Sequence, residues 1–184
     1  MVVLDKRVKR TQKLLATALI DLTLQKGYEA VTIKDITDYA DIGYATFFRH
    51  YHTKDDLLQD VSDVVLESLV ARLYPNSAKD DTSQVGVILF HYVKENAELI
   101  RVLLESQMSI RRVIEATVSH TIEDRKPRSD SIVPLEIAAN HIVTSTIALI
   151  QWWLNHDMCY SPEQMGLIYL ELIALPTSQL AFAE

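Results

Sequence analysis

Cysteine occurs once in this chain, at Cys159, so no internal disulfide can brace the fold, and a reduced compartment is the expected setting. Glycine (4) and proline (5) are scarce among 184 residues, which leaves few tight turns and suits long helices. No stretch alternates apolar and polar residues as a half-buried strand does, and there are no internal repeats or low-complexity tracts. A glycine-rich phosphate loop, an HExxH zinc motif and a nucleophile elbow are all missing, so nothing calls for an enzyme. No basic-then-apolar leader opens the sequence, and the cytoplasm is the expected location. Residues 137–156 lack charge and are long enough to span a bilayer. Asn140, His141, Thr144, Ser145, Thr146, Gln151 and Asn155 lie within them, however, and most would be costly facing lipid. A helix buried in protein on several faces is expected instead, with no membrane partner.

What is present is apolar residue in quantity, 48% of the chain, enough for a sizeable core. Charge is unevenly spread. Residues 1–54 hold nine Lys/Arg against six Asp/Glu, net +3, and residues 55–184 hold nine against nineteen, net −10, which together give the chain's −7. Lys6, Arg7, Lys9, Arg10 and Lys13 crowd the front. An acidic protein with a basic front end reads as two parts, a basic reader on an acidic body.

Helical spacing recurs along the whole chain. Leu14, Leu15, Ala18, Leu19 and Leu22 mark a helix over about residues 11–25, with Gly27 placed to end it in the left-handed conformation. Thr32 and Asp35 form a capping-box pattern for a short second helix. After "DIG", the run "YATFFRHY" (44–51) predicts a third. Thr53 caps a fourth that runs to about Leu73, with Asp55 and Asp56 favouring its dipole. Residues 75–84 and 125–131 are polar connectors. Between them lie a helix marked by Val85, Ile88, Leu89, Tyr92 and Val93, then one short and one longer helix. A long apolar helix reaches about Asn155. Ser161, Pro162 and Gln164 start the last, which Pro176 should limit.

The stretch "IGYATFFRHYHTKDDLL" (42–58) concentrates aromatic and basic side chains. A short helix, a turn and a second short helix can form a helix-turn-helix, whose second helix enters the major groove. Thr46, Arg49 and His50 then share an exposed face, and Phe47 and Tyr51 the buried one. Lys54 is placed to meet a phosphate. By spacing alone, an amphipathic helical hairpin with a solvated basic edge fits as well.

Residues 11–58 resemble the DNA-binding domain of the tetracycline-repressor (TetR) family of bacterial transcription regulators. Gly27-Tyr28, "VTIKDITDYADI" and "ATFFRHYHTKDDLL" carry the resemblance, and "WWLNHDMCYSPEQM" more weakly resembles the end of the body in some members. It implies an all-α protein: a three-helix helix-turn-helix head (residues 1–53) and a helical effector-binding and dimerisation body (54–184), with 54–73 as linking helix. It also implies a homodimer on a palindromic double-stranded DNA operator, usually a repressor, released by a small-molecule effector. The alternative is a helical interaction module that does not read DNA. The family's DNA-contacting positions fall at Thr32 and Lys34, at Gly43, Tyr44, Ala45 and Thr46, and at Phe48, Arg49, His50 and Lys54. Two departures stand out. Asp41 occupies the turn position that usually carries glycine. Phe48 replaces a tyrosine whose hydroxyl reaches phosphate, which leaves Tyr44 or His50 to supply the donor.

Other groups are read against plainer roles. The basic run 6–13 is either a solvated tail or a groove contact. His50-x-His52 diverges on a helix and lacks further ligands, so no metal or other cofactor is expected. Phe90, Met108, His141 and Trp152 are candidates to line an effector pocket, with core packing as the plainer role of the aromatic and methionine side chains. Asn140, His141 and Gln151 need polar partners if buried. Cys159 has no close basic neighbour and is read as inert. Ile147 and Ile150 on the long apolar helix, with Met165, Ile168 and Leu172 on the last, are the expected dimer surface, a two-fold four-helix interface.

Overall fold

Leu15, Ala18, Leu19 and Thr23 recur at helical spacing and form the buried stripe of helix α1 (Lys6–Lys26). The computed structural model describes residues 6–73, 82–124 and 126–183. Among these, the secondary structure is helical, with one isolated antiparallel bridge between Pro127 and Phe182. No helix among the described residues is long and apolar enough to cross a membrane. The basic run 6–13 is the first part of α1 rather than a tail. The polar connector expected at residues 75–84 lies outside the described residues as far as residue 81.

Gly27 ends α1 with φ 79° and ψ 148°, so its φ is positive as expected but its ψ is extended rather than left-handed helical. Glycine alone adopts that region without strain. A 3₁₀ turn (Tyr28–Ala30) leads to Thr32, which caps α2 (Ile33–Tyr39). The Thr32 hydroxyl accepts from the Asp35 N–H at 3.1 Å, and the Asp35 carboxylate accepts from the Thr32 N–H at 2.9 Å. This is the predicted capping box. Helix α3 (Tyr44–Phe47) stops four residues short of the predicted Tyr51. The N–H groups of Arg49 and His50 bond three residues back, to Thr46 and Phe47, and tighten the chain out of the helix. Four of the five residues 47–51 are aromatic or histidine, which favour helix weakly, and burial of Phe47 and Tyr51 sets the path instead. Helix α4 (Lys54–Leu73) starts at Thr53 as predicted, with a reciprocal pair of bonds between Thr53 and Asp56.

The remaining helices are α5 (Thr82–Glu95), α6 (Ala97–Glu105), α7 (Gln107–Asp124), α8 (Leu135–Asn155) and α9 (Pro162–Tyr169). Ser161 and Gln164 form the predicted box at the start of α9. Pro176 does not limit the last helix. A π-helical segment (Leu170–Ala174) follows α9, the Leu175 N–H reaches back to the Leu170 carbonyl, and α10 (Leu175–Ala181) continues through the proline. The wide turn relieves the clash and the missing donor that a proline brings to a regular helix.

Two compact units result: Met1–Val65 with Glu98–Ser109, and Leu66–Ala97 with Ile110–Glu184. The division expected at residue 53 is therefore displaced. Leu57, Leu58, Val61 and Val65 of α4 are buried, and the Glu105 carboxylate accepts the Tyr28 N–H at 3.0 Å, so both segments belong with the first three helices. In the second unit, α5 and α9 pack backbone to backbone at Gly86 and Gly166. A Cβ on Gly166 would stand 2.6 Å from the Val87 backbone nitrogen, and one on Gly86 would stand 2.7 Å from the Gly166 carbonyl oxygen. Phe90 meets Trp153 edge to face, centroids 5.3 Å apart, and the Trp153 indole N–H donates to the Tyr160 carbonyl at 3.0 Å. The end of the chain is strapped to the loop before α8: the Arg128 N–H donates to the Ala181 carbonyl at 3.0 Å and the Ala183 N–H to that of Lys126 at 2.9 Å.

Gly166→Ala should cost about 2 kcal/mol or more, because backbone stands where the methyl would go and cannot yield as a side chain can. Gly43→Ala, whose Cβ would meet only the Thr46 hydroxyl oxygen at 3.6 Å, should stay close to wild type. Urea denaturation of the two variants checks this.

Candidate nucleic-acid interface

The turn between α2 and α3 decides how the recognition helix is presented. Ala40 closes α2, and the Asp41 N–H bonds to the Asp38 carbonyl at 3.3 Å while the Ile42 N–H bonds to that of Thr37 at 3.0 Å. This pair of bonds is a Schellman motif, which needs a left-handed residue after the cap. Asp41 supplies it, with φ 53°. The glycine usual here is therefore replaced by a side chain short and polar enough to tolerate the conformation. The turn hands the chain to Gly43, at φ −58° and ψ 133°, and the Thr46 N–H returns to the Gly43 carbonyl at 2.7 Å.

Phe47 anchors α3 from below at 0% exposure, with Tyr51 buried beside it and their centroids 5.8 Å apart. The Tyr51 hydroxyl donates to Asp60 at 2.6 Å. Burial, then that bond to a carboxylate, pushes the phenol above its ordinary pKa. Over this anchor, Gly43, Tyr44, Ala45, Phe48 and Arg49 are exposed, and Thr46 and His50 are half-buried. The expectation that Phe47 and Tyr51 face inward and Arg49 outward therefore matches the fold. Tyr44 and Phe48 meet edge to face at 5.2 Å. The Tyr44 phenol accordingly stands beside the ring that lacks a hydroxyl.

On α2, Lys34 is exposed in the first turn. Thr32 is exposed too, but its hydroxyl both accepts from the Asp35 N–H and donates to the Asp35 carboxylate at 2.6 Å. That carboxylate also takes the Lys26 ammonium at 2.8 Å. The Lys26 bond, then those from Thr32, hold the Asp35 carboxyl below the ordinary aspartate range. Lys54 differs from the other candidates. Its ammonium donates to the backbone carbonyls of Tyr28 at 2.9 Å, Val31 at 3.1 Å and Glu29 at 3.5 Å. The Tyr28 hydroxyl donates to Asp55, and burial followed by that bond raises its pKa. Tyr28, Asp55 and Glu105 thus form a polar corner that the sequence pattern did not isolate. The Gly27-Tyr28 pair was visible, but a partner 77 residues away leaves no local signal.

The candidates for an effector pocket differ in burial. Phe90 is fully buried, but His141 and Trp152 are exposed on α8, and Trp152 stacks on His156 with centroids 4.3 Å apart. The buried indole is Trp153, one residue and about 100° further round the helix. Met108 belongs to the other unit, and its side chain lies outside the described residues. The expected dimer surface also needs correction. Ile150 and Met165, at 9% and 0% exposure, belong to the core of the second unit. Ile147 and Ile168 are half-buried, and Leu172 is exposed. The exposed apolar side chains of α8 to α10 include Ile137, Trp152, Leu167, Leu172, Leu175 and Leu180.

A capped α2, a Schellman turn and a short helix over an aromatic anchor make this unit a helix-turn-helix module. Residues 15–61 match the family model of the bacterial regulatory proteins of the tetR family, and residues 80–174, just over half of the chain, match its transcriptional regulator C-terminal region. The chain belongs to the TetR family. It is 26% identical to the HTH-type transcriptional regulator YxbF of Bacillus subtilis, over 92% of this chain and 46% of that protein. To TcmR of Streptomyces glaucescens it is also 26% identical, over 61% of this chain and 51% of that one. The chain thus spans about half the length of the curated relatives it matches. Among solved structures, a TetR transcriptional regulator of Streptococcus agalactiae superposes with a TM-score of 0.68 at 21% identity, covering 92% of this chain and 96% of that one. SmeT of Stenotrophomonas maltophilia gives 0.69 at 13%, covering 95% and 93%. These similarities show the shared fold.

Asp41→Gly should fold with the same turn and gain about 0.5–1 kcal/mol, since glycine reaches positive φ without a Cβ penalty. Asp41→Val should lose at least as much. Thermal melting of the two variants should therefore move in opposite directions.

Proposed function

We propose that this chain is a DNA-binding transcription regulator, which reads a palindromic double-stranded operator as a homodimer and is released by a small-molecule effector. The observation that carries this reading is the exposed run of Gly43, Tyr44, Ala45, Phe48 and Arg49 over the buried Phe47. A short helix so presented fits the major groove, with the first residues toward base edges. Lys34 and Arg49 supply positive charge for phosphate. Tyr44 supplies the hydroxyl that Phe48 lacks. A repressor role rests on likeness to SmeT, the repressor of a multidrug efflux pump. DhaS, another structure of similar fold, is an operon activator. The effector reading is supported by RolR, solved with resorcinol, and by SmeT, solved with triclosan.

Dimerisation follows from the surface of the second unit. Ile137, His141, Ala148 and Trp152 lie along an uncharged stripe of α8, and Leu167, Leu172, Leu175 and Leu180 are exposed after it. So much large apolar surface on neighbouring elements calls for a partner, and a two-fold dimer reading successive major grooves needs its recognition helices about 34 Å apart, one turn of DNA. His141 and Trp152 are better assigned to this surface than to an effector pocket.

Selection from a random duplex pool tests the DNA reading. The chain should enrich a palindromic site and bind it with a steep dependence on salt. Tyr44→Ala and Thr46→Ala should change which sequences are enriched. Phe48→Tyr should tighten binding by roughly three- to tenfold through a regained phosphate bond. Enrichment of no sequence, or enrichment indifferent to Tyr44 and Thr46, would refute the placement of the helix. A separate measurement addresses the dimer. Leu172→Glu should give a folded monomer by light scattering with weakened operator binding, whereas Met165→Ala should lower stability by about 2–5 kcal/mol, as loss of a core side chain does.

A further inference from the structure

Lys54 lies in the first turn of α4 and is half-buried. Its ammonium carries three protons, and three backbone oxygens surround it: those of Tyr28 at 2.9 Å, Val31 at 3.1 Å and, more loosely, Glu29 at 3.5 Å. The same nitrogen stands 4.3 Å from the centroid of the Tyr28 ring, within range of a cation–π contact. Every donor of the group is thereby occupied inside the first unit. To reach a phosphate the side chain would have to leave these carbonyls, giving up two part-buried bonds, to Tyr28 and Val31, of which only the Tyr28 oxygen keeps another partner, the Val31 N–H.

The segment that the ammonium grips is fixed from two further directions. The Tyr28 hydroxyl donates to Asp55, the next residue of α4, and the Tyr28 N–H donates to Glu105 at 3.0 Å. Residues 28–31 lead straight into Thr32, the cap of α2, and α2 leads through the Asp41 turn into α3. Where this segment lies relative to the start of α4 therefore decides where Lys34 and the recognition helix lie.

We propose that Lys54 is a positioning residue rather than a phosphate contact: its ammonium holds residues 28–31 against the start of α4 and so places α2 and α3 for DNA. This rests on the DNA-binding reading above. The two roles make opposite demands. A phosphate contact contributes through charge and appears in the salt dependence, by about 0.9 in the slope of log affinity against log salt for each protomer. A positioning residue contributes through geometry and leaves that slope alone.

The test compares wild type with Lys54→Met and Lys54→Arg on a duplex selected from a random pool by the wild-type chain. Assays are run well below the melting temperature of each variant. Both variants should melt at least about 4 °C lower, remain folded by circular dichroism at the assay temperature, and bind about tenfold more weakly or worse at every salt concentration. Their salt slope should match the wild type. Arginine keeps the charge but cannot fit a compact three-carbonyl cage, so it should not rescue. The proposal is overturned if Lys54→Met flattens the slope by the phosphate amount, if Lys54→Arg retains wild-type affinity, or if either variant binds as wild type. If Lys54→Met fails to fold, the Lys54→Arg arm decides on its affinity and slope. If the wild-type chain selects no DNA, the function reading fails. The melting temperatures still report whether the ammonium pins the corner, and unchanged values overturn that too.

Discussion

One turn of chain, residues 28–31, is where the first unit is fastened, and the fastening is almost wholly a matter of satisfying backbone. A 3₁₀ turn after a helix leaves carbonyls without helical partners, and such groups must be paired when water is excluded. Here a single ammonium takes the Val31 carbonyl and, loosely, the exposed one of Glu29, and adds a second bond to that of Tyr28, which also accepts the Val31 N–H, while a carboxylate from α6 takes the Tyr28 N–H. The electrostatics are favourable because each ion meets dipoles oriented toward it. The consequence is geometric. With the corner fixed, the capping box at Thr32 and the left-handed Asp41 fix the two ends of α2, and α3 has little freedom left. A helix of four residues would not persist alone. It persists because Phe47 and Tyr51 are buried beneath it and because the turn before it allows one exit direction.

The second unit is organised differently. Its tightest point is not polar but the contact of α5 with α9, where two glycines bring backbones together. Close approach of this kind yields extensive dispersion contact and tolerates no added volume. Around it the larger side chains, Phe90, Trp153 and Met165, are fully buried. An exposed hydrogen bond between His91 and Glu163 joins the same two helices at 2.9 Å. Being solvated, it contributes little beside the packing.

Much of this was legible in the sequence, and the reasons for success and failure are physical. Capping boxes at Thr32 and Ser161 were readable because both partners lie within one turn. The helices marked by apolar spacing were readable because burial imposes the period. The helix-turn-helix was readable because its turn, its anchor and its exposed face sit in consecutive residues. What could not be read depends on partners far away or on phase. The Tyr28–Glu105 bond crosses most of the first unit's sequence. Lys54 looks like a free cation until the carbonyls around it are seen. The choice between Trp152 and Trp153 is a rotation about the α8 axis, and a helix apolar on most faces carries too little contrast to set that angle. The same lack of contrast misplaced Ile150 and Met165 on an outer surface.

The π-helical segment bears on how the end of the chain tolerates change. A π turn holds one residue more than a regular turn, so it acts as an insertion absorbed inside a helix. Loss of any single residue between Leu170 and Ala174 would restore regular winding and leave the residues beyond almost unturned. Thr177 and Ala181 would keep their inward faces. Pro176, however, would then be held in a regular turn and would clash with the carbonyl four residues before it. Length in this segment is therefore more tightly constrained than side-chain identity. Substitutions at the exposed Glu171 should be tolerated where a one-residue deletion beside it is not.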